Sequence, residues 1–296
     1  MADADLALYQ AKEEGSNSVA IFEPRMEAPR RRRLQIERAL RAPQMEDALH
    51  VVFQPIVDLA SGRILAHEAL ARWTDPDMGE VMPSEFIPIA EQLNLIQRLN
   101  DRLMDIAIAE ARSWPSEIRL AFNLSALQLC ERGFAATLLH KLRRAGLATN
   151  RLQVEVTETA LLADFDRARQ NIHGLHEAGV LIVLDDFGAG YASIGYLREL
   201  KFDQIKLDGA LVTAAQDSSD GKRLLQAVIG LCDLLGVASV AEHIESEELL
   251  RLVMSLGCTA GQGFWLHRPV PAHRLEAIEN VSLVSNVVPF GRHAAA

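Results

Sequence analysis

Cysteine is scarce in this sequence, and the positions of the three cysteines exclude two common kinds of site. Cys130, Cys232 and Cys258 lie far apart, form no CxxC pair and have no nearby group of histidines. Zinc sites and disulfide frameworks both need cysteines at close or regular spacing. We therefore expect three small core residues in a protein of a reducing compartment.

Long apolar runs and an excess of basic residues are also missing. The longest apolar stretch, LLQAVIGLCDLLGVASVA, is interrupted by Gln226 and Asp233 and is too mixed to span a bilayer. No signal peptide opens the chain. The formal net charge of −10 argues against non-specific binding to nucleic acid or to anionic membranes. We expect a cytoplasmic protein, or the cytoplasmic portion of a larger one, that binds no DNA and does not insert directly into a membrane.

The first 44 residues differ from the rest in character. ADADLALYQAKEEGSNSVAIFEP predicts a helix, a turn and one strand, which cannot build a core alone. The next segment, APRRRRLQIERALRAPQ, predicts a basic connecting helix. Its Arg30–Arg33 run could form a patch for RNA or membranes, but the acidic remainder favours a solvated helix face near a domain junction.

From about Leu49, eight strand-like segments alternate with helical patterns. The first two are joined by ASG, which predicts an antiparallel hairpin. The count favours a (β/α)₈ TIM-like barrel with an antiparallel first strand over a doubly wound open sheet. We expect a barrel over residues 45–285, preceded by residues 1–44 and followed by a C-terminal tail, 286–296.

Polar residues recur at one end of the predicted strands. They are Glu68, Asn123, Glu155, Glu158, Asp185, Asp186, Lys206, Asp208, Glu242, Glu245 and Gln262. In a parallel barrel, the carboxyl ends of all strands face one rim, so these side chains should converge there. A single inward acid such as Glu155 could belong to a core ion pair, but acids on five strands indicate a site.

Several carboxylates in one pocket cannot all stay ionised unaided. The donors are carboxylates and the amides of Asn123 and Gln262, which favour Mg²⁺ or Mn²⁺ over Zn²⁺. We expect two ions, and they explain how LIVLDDFGAGY can end a buried strand in adjacent acids, Asp185 and Asp186. Such a site is typical of phosphate-ester hydrolysis. Lys206 would then lie beside the attacking water or a phosphoryl oxygen, or would merely neutralise a rim acid.

The order of motifs resembles a known family. FQPIVDLASGRILAHEALARW, FNLSALQL, VEVTETALL, LDDFGAGYASIGYL, FDQIKLDGALV, VAEHIESEELLRLVMSLGC and GQGFWLHRP look like the EAL family of cyclic di-GMP phosphodiesterases. The resemblance runs from about residue 45 to 280. It implies hydrolysis of cyclic di-GMP to linear 5′-pGpG with Mg²⁺ or Mn²⁺, and inhibition by Ca²⁺.

The same resemblance implies a role for each motif residue. The metal ligands would be Glu68, Asn123, Glu155, Asp185 and Asp186. Lys206 would position the attacking water, and Glu242 would be the general base. The substrate contacts would be Gln54, Arg72, Gln262 and Asp208. Glu158, together with Glu245, would anchor the DFGAGYASIGYL loop, which couples metal binding to dimerisation in the family, so a homodimer is expected.

The N-terminal segment is similar to the last helix and strand of a GGDEF domain, without that domain's signature. This implies a remnant with no cyclase activity, and an upstream GGDEF or sensor domain in the full-length protein.

Some positions depart from the family pattern. His243 replaces the usual glycine, Ala189 replaces a threonine, and Trp265 and His267 stand in an altered segment. Strand alternation from an inward Glu242 predicts that the His243 side chain points outward. Two rival functions remain: a catalytically inactive barrel that binds cyclic di-GMP as a receptor, and an interaction module that neither binds nor hydrolyses it. Because every expected metal ligand is present, we favour the enzyme.

Overall fold

A computed structural model of the chain describes residues 27–188 and 194–277, together with Val19, Ile21 and Val281. The predicted N-terminal helix and strand, the C-terminal tail and Ala189 fall outside these residues. The chain divides into two compact units. The smaller comprises Met1–His50 and Arg72–Leu99, and the larger comprises Val51–Ala71 and Asn100–Ala296.

The larger unit is built on a closed barrel. The strands of the chain are β1 (Leu49–Asp58), β2 (Ile64–Asp75), β3 (Gly79–Val81), β4 (Arg119–Asn123), β5 (Leu152–Thr157), β6 (Leu181–Phe187), β7 (Gln204–Leu207), β8 (Ala238–Ala241), β9 (Ala260–Gly261) and β10 (Val270–Pro271). Their order is β10-β1-β9-β8-β7-β6-β5-β4-β2-β3, and a further β1–β2 pairing closes the ring. Along the ring β2-β4-β5-β6-β7-β8-β9 each neighbouring pair is parallel, whereas β1 is antiparallel to β9 and the short β3 is antiparallel to β2. The predicted TIM-like barrel with an antiparallel first strand is confirmed.

Helices follow the barrel strands at the predicted places. They are α1 (Glu27–Leu40), α2 (Pro83–Gln92), α3 (Ile96–Ala111), α4 (Ala126–Leu129), α5 (Phe134–Ala145), α6 (Glu158–Ala163), α7 (Phe165–Glu177), α8 (Ile194–Glu199), α9 (Gly209–Asp217), α10 (Ser219–Leu235) and α11 (Glu247–Ser255). Ser246 caps α11 through Leu249 N, and Asp164 caps α7 through Arg167 N. Gly236, at φ +70°, ends α10 in the left-handed conformation.

The sequence pattern was wrong at one helix. The apolar spacing of SEFIPIAEQLNLIQRLNDRLMDIAIAEARSW, which begins at Ser84, predicts one long helix with a Ser84 cap. The structure instead has two helices, and the first begins at Pro83 with Met82 as its N-cap. Asn94 takes a left-handed backbone at φ +56° between them, a conformation that Asn tolerates better than most residues and that stops helix propagation.

The barrel interior is closed by apolar side chains. A buried cluster contains Ile56, Ala66, Ala121, Val240 and Ala260. Because strand side chains alternate, the residues two positions further along these parallel strands face the same interior, one layer nearer the carboxyl rim. Those next residues include Glu68, Asn123, Glu242 and Gln262. The apolar cluster therefore lies directly beneath the layer of polar groups.

The basic run lies on α1 in the smaller unit, where its side chains form ion pairs. Arg31 contacts Glu27 at 3.3 Å, Arg32 contacts Glu85 at 3.0 Å and Arg33 contacts Glu37 at 2.9 Å. Paired, solvated arginines on one helix support the helix-face interpretation of this run.

Two further sequence expectations concern cysteines and membranes. Cys130, Cys232 and Cys258 are all free thiols. Among the described residues, none of the helices has the length and apolar character that crossing a membrane requires.

Asn171 provides a test of how the helical layer is held. Its Nδ2 donates to Leu129 O and Glu131 O, both at 2.8 Å, and its Oδ1 accepts from Ala135 N at 3.2 Å. Asn171→Ala should lower the free energy of unfolding by about 2–4 kcal/mol, because it leaves buried backbone groups unpaired. Urea denaturation measures this, with the exposed Gln170→Ala on the same helix as the control. Equal midpoints for the two variants would contradict the assignment.

Candidate active site

Lys206 lies at the centre of the predicted site. Its Nζ is 2.7 Å from Glu242 Oε1, 2.9 Å from Glu155 Oε2, 3.1 Å from Asp185 Oδ1 and 3.5 Å from Glu68 Oε2. The Lys206 side chain is only 2% exposed. The four acids come from four different strand ends, so the predicted convergence at the rim is present.

The charges around Lys206 do not balance, and the pKa values show the consequence. Burial lowers the pKa of Lys206, but its four carboxylate neighbours raise the pKa well above the usual value. Burial raises the pKa of Glu155 well above normal, and the nearby Glu68 and Asp185 charges add to this effect. Burial likewise raises the pKa of Glu242 to about 7, against the opposing effect of Lys206. One ammonium group therefore does not compensate the cluster, and either protons on these carboxylates or bound cations must balance the remaining charge.

Amide side chains fix the position of Glu68. Asn123 Nδ2 donates to Glu68 Oε1 and Gln262 Nε2 donates to Glu68 Oε2, both at 2.7 Å. Burial raises the pKa of Glu68, but Lys206 and these two amides together hold the pKa below its usual value. Gln262 Nε2 also contacts Gln54 Oε1 at 3.1 Å, and Gln54 Nε2 donates to His267 O at 3.0 Å. The buried Gln262 Oε1 has no hydrogen-bond partner among the described residues, which leaves it available to a ligand.

The adjacent acids of LIVLDDFGAGY are brought together by an irregular backbone. The pairing of β6 with β7 shifts register between Leu184 and Phe187, and Asp186 has a left-handed φ of +56°. Strand alternation is therefore broken at Asp186. A carboxylate oxygen from each of Asp185, Asp186 and Glu242 lies within 4.8 Å of the others. Three hard oxygen donors at this spacing could hold a divalent cation.

The remaining predicted residues lie in several places. Glu158 is the first residue of α6, and its Oε1 accepts from Gly188 N at 3.3 Å, at the start of the predicted loop. Asp208 caps α9 by accepting from Ala210 N at 2.9 Å. Glu245 is exposed and forms no hydrogen bond or ion pair with the described part of the chain. Arg72 belongs to the smaller unit, where it pairs with Glu80 at 4.0 Å. The substrate and anchoring roles of these residues stay predictions.

Two contacts of the site were not assigned from the sequence. Gln153 is buried and its Nε2 donates to Glu155 Oε1 at 3.4 Å. The two residues are two positions apart on β5, so strand alternation could have identified Gln153 as a second inward side chain. His267 contributes its backbone carbonyl to Gln54. No side-chain pattern identifies a backbone acceptor of this kind.

A closed barrel with acids at its carboxyl rim places the chain in the class of TIM-like barrels, whose active sites lie at that rim. Within that class, the EAL domain family model matches residues 34–269. The chain belongs to the EAL domain family.

Characterised and uncharacterised relatives align over nearly the whole chain. The bifunctional diguanylate cyclase/cyclic di-GMP phosphodiesterase MucR of Pseudomonas aeruginosa is 34% identical over 281 residues, which cover 94% of this chain and 41% of that protein. An uncharacterized signaling protein of Caulobacter vibrioides is 38% identical over 276 residues, covering 93% and 34%. The chain thus spans about a third to two fifths of these relatives.

Solved structures agree with this assignment. The structure titled PaMucR phosphodiesterase, c-di-GMP complex, superposes with a TM-score of 0.77 at 33% identity, covering 81% of this chain and 99% of that one. The EAL domain of Mycobacterium smegmatis DcpA gives 0.69 at 29% identity, covering 79% and 100%.

The cluster of four carboxylates around Lys206 predicts that the stability of the fold depends strongly on this one lysine. Lys206→Met should lower the free energy of unfolding in EDTA by about 3–5 kcal/mol, because it removes the buried cation between four carboxylates. Urea denaturation measures the loss, with the exposed Lys201→Met as the control. A midpoint for Lys206→Met that equals the control would show that the cluster is not held by this charge.

Proposed function

We propose that this chain is a phosphodiesterase that hydrolyses cyclic di-GMP to linear 5′-pGpG. One observation supports this most: the acids and amides expected of an active EAL site meet around one buried lysine at the barrel rim. Two relatives from Pseudomonas aeruginosa, MucR and NbdA, are named as cyclic di-GMP phosphodiesterases, which favours the same substrate.

The donor set fits divalent cations. We propose that two Mg²⁺ or Mn²⁺ ions are held by Glu68, Asn123, Glu155, Asp185 and Asp186, and that Ca²⁺ inhibits. The excess of carboxylates over ammonium groups supports this fit, and two of the proposed ligands, Asp185 and Asp186, lie with Glu242 at a spacing that could hold a cation. When bound, such ions supply Lewis acidity toward the phosphodiester and lower the pKa of water.

The protein's own groups would act on water and substrate. Glu242, whose pKa of about 7 suits a general base near neutral pH, takes the proton from the attacking water. Lys206 Nζ, 2.7 Å from Glu242 Oε1, orients that carboxylate and the water. The water oxygen bonds to phosphorus as the bond from phosphorus to the 3′-oxygen breaks, and the departing oxygen takes up a proton. Contacts from Gln54, Gln262 and Asp208 would hold the dinucleotide in line.

We extend the proposal to the setting of the domain. The family resemblance supports a homodimer, and the GGDEF-like motif of the first residues supports an upstream GGDEF or sensor domain in a cytoplasmic protein. Size-exclusion chromatography with light scattering tests the dimer directly.

The ligand assignment is tested by removing single acids. Glu68→Ala or Asp185→Ala should lower turnover of cyclic di-GMP by at least about 100-fold, since each removes a group that organises charge at the reacting phosphate. Product formation with Mg²⁺ or Mn²⁺ is followed by chromatography of pGpG. Asp166→Ala, which removes an exposed acid of α7, serves as the control and should keep wild-type activity.

Two results would overturn these assignments. Full activity of either acid variant contradicts its role as a ligand. Wild-type protein that binds cyclic di-GMP without releasing pGpG under either metal is a receptor, and the enzymatic proposal then fails.

The loop contact of Glu158 gives a second prediction. Glu158→Ala should lower activity and Mn²⁺ affinity by about 10-fold, because it removes the acceptor for Gly188 N beside Asp185 and Asp186. Calorimetric titration with Mn²⁺ and initial rates measure both effects. Glu158→Gln keeps an acceptor oxygen and should stay near wild type. Equal losses in the two variants would mean that this hydrogen bond is not what matters.

A further inference from the structure

The backbone at His243 is unusual for its residue type. His243 directly follows Glu242 and has a left-handed φ of +53°. Side chains with a Cβ are disfavoured in this conformation, which explains why the family pattern has glycine here. A histidine that persists in such a conformation must be stabilised by its surroundings.

Gly209 provides the space that His243 occupies. A Cβ atom added to Gly209 would lie 2.2 Å from His243 Nδ1, 2.4 Å from its Cγ and 2.9 Å from its Cβ. Gly209 is not among the glycines with positive φ, and it begins α9, where glycine has poor helix propensity. Its lack of a side chain therefore serves the contact with the imidazole and not the backbone.

The same turn is clamped on its other side. Ile244 N donates to Gln262 O at 3.1 Å, and Trp265 N donates to Ile244 O at 2.9 Å. A Cβ at Gly263 would lie 2.2 Å from Ile244 N, so the two backbones are in close contact. Glu242 N donates to Leu207 O at 3.3 Å. The turn 242–244 is thus held between the end of β7 on one side and the segment 262–265 on the other.

We propose that His243 and Gly209 form a matched pair that positions Glu242 against Lys206. The imidazole fills the space over Gly209, fixes the left-handed turn to the start of α9, and so holds Glu242 Oε1 at 2.7 Å from Lys206 Nζ. His243 is a positioning residue that acts through Glu242. The effect of His243 on catalysis rests on the proposed function, whereas its contact with Gly209 and the effect of that contact on stability do not.

Four proteins test the pair: wild type, Gly209→Ala, His243→Gly, and the double variant. Gly209→Ala should displace the imidazole and lower kcat by about tenfold or more, with KM changed less than about twofold, since the reacting groups are misplaced while substrate contacts stay. His243→Gly should lower kcat by about threefold, because Glu242 loses the imidazole that positions it, and the double variant should recover kcat only to that level, because the clash is gone but the imidazole is absent too. Gly230→Ala is the control, since a Cβ there meets nothing within 4 Å, and it should keep wild-type kinetics.

Two kinetic outcomes overturn the pair. Gly209→Ala with wild-type kcat shows that no steric contact needs the glycine. A double variant no more active than Gly209→Ala shows that Gly209 acts independently of His243.

A second readout separates this proposal from the proposed function. In EDTA, without substrate, Gly209→Ala should lower Tm by about 3–6 °C and the double variant should regain most of it. If wild type lacks turnover, the phosphodiesterase proposal fails while this thermal comparison still decides the pair. If the double variant differs from Gly209→Ala in kcat but its Tm stays as low as that of Gly209→Ala, the proposed pairing of His243 with Gly209 is rejected.

Discussion

The ammonium group of Lys206 among four carboxylates is the interaction on which the site depends. A lone buried charge is costly, and so is a cluster of like charges, but each makes the other tolerable. The resulting imbalance explains why burial can raise the pKa of Glu155 and Glu242 while the amides of Asn123 and Gln262 and the charge of Lys206 lower that of Glu68. It also explains why divalent cations fit the proposed site, since among the described residues four acids lie around the single ammonium group of Lys206.

Much of the barrel could be predicted because apolar and polar residues alternate along its strands with a regular period. Alternation in LQVEVTE placed Glu155 inward, and Glu155 is indeed buried against Lys206 at 2.9 Å. Convergence of strand ends follows from parallel pairing alone. The break at Asn94 could not be predicted in this way, because apolar spacing continues through it and only one backbone angle changes.

The sequence predicted which residues belong to the site better than it predicted how they are arranged. Residue types and strand ends indicated Glu68, Asp185 and Glu242 as neighbours. The left-handed turns at Asp186 and His243 and the contact of His243 with Gly209 depend on backbone angles and on space across two loops, which no pattern of hydrophobic spacing records. The backbone carbonyl of His267 escapes sequence reasoning for a similar reason, because every residue carries one.

The apolar cluster beneath the acids has a kinetic consequence. Ile56, Ala66, Ala121, Val240 and Ala260 leave almost no exposed surface, so the barrel has a closed floor and not a channel. Under the proposed function, ions, water and dinucleotide would therefore all enter at the carboxyl rim. The linear product would carry one more negative charge than its cyclic precursor and would have to leave by that rim before the next cyclic molecule binds.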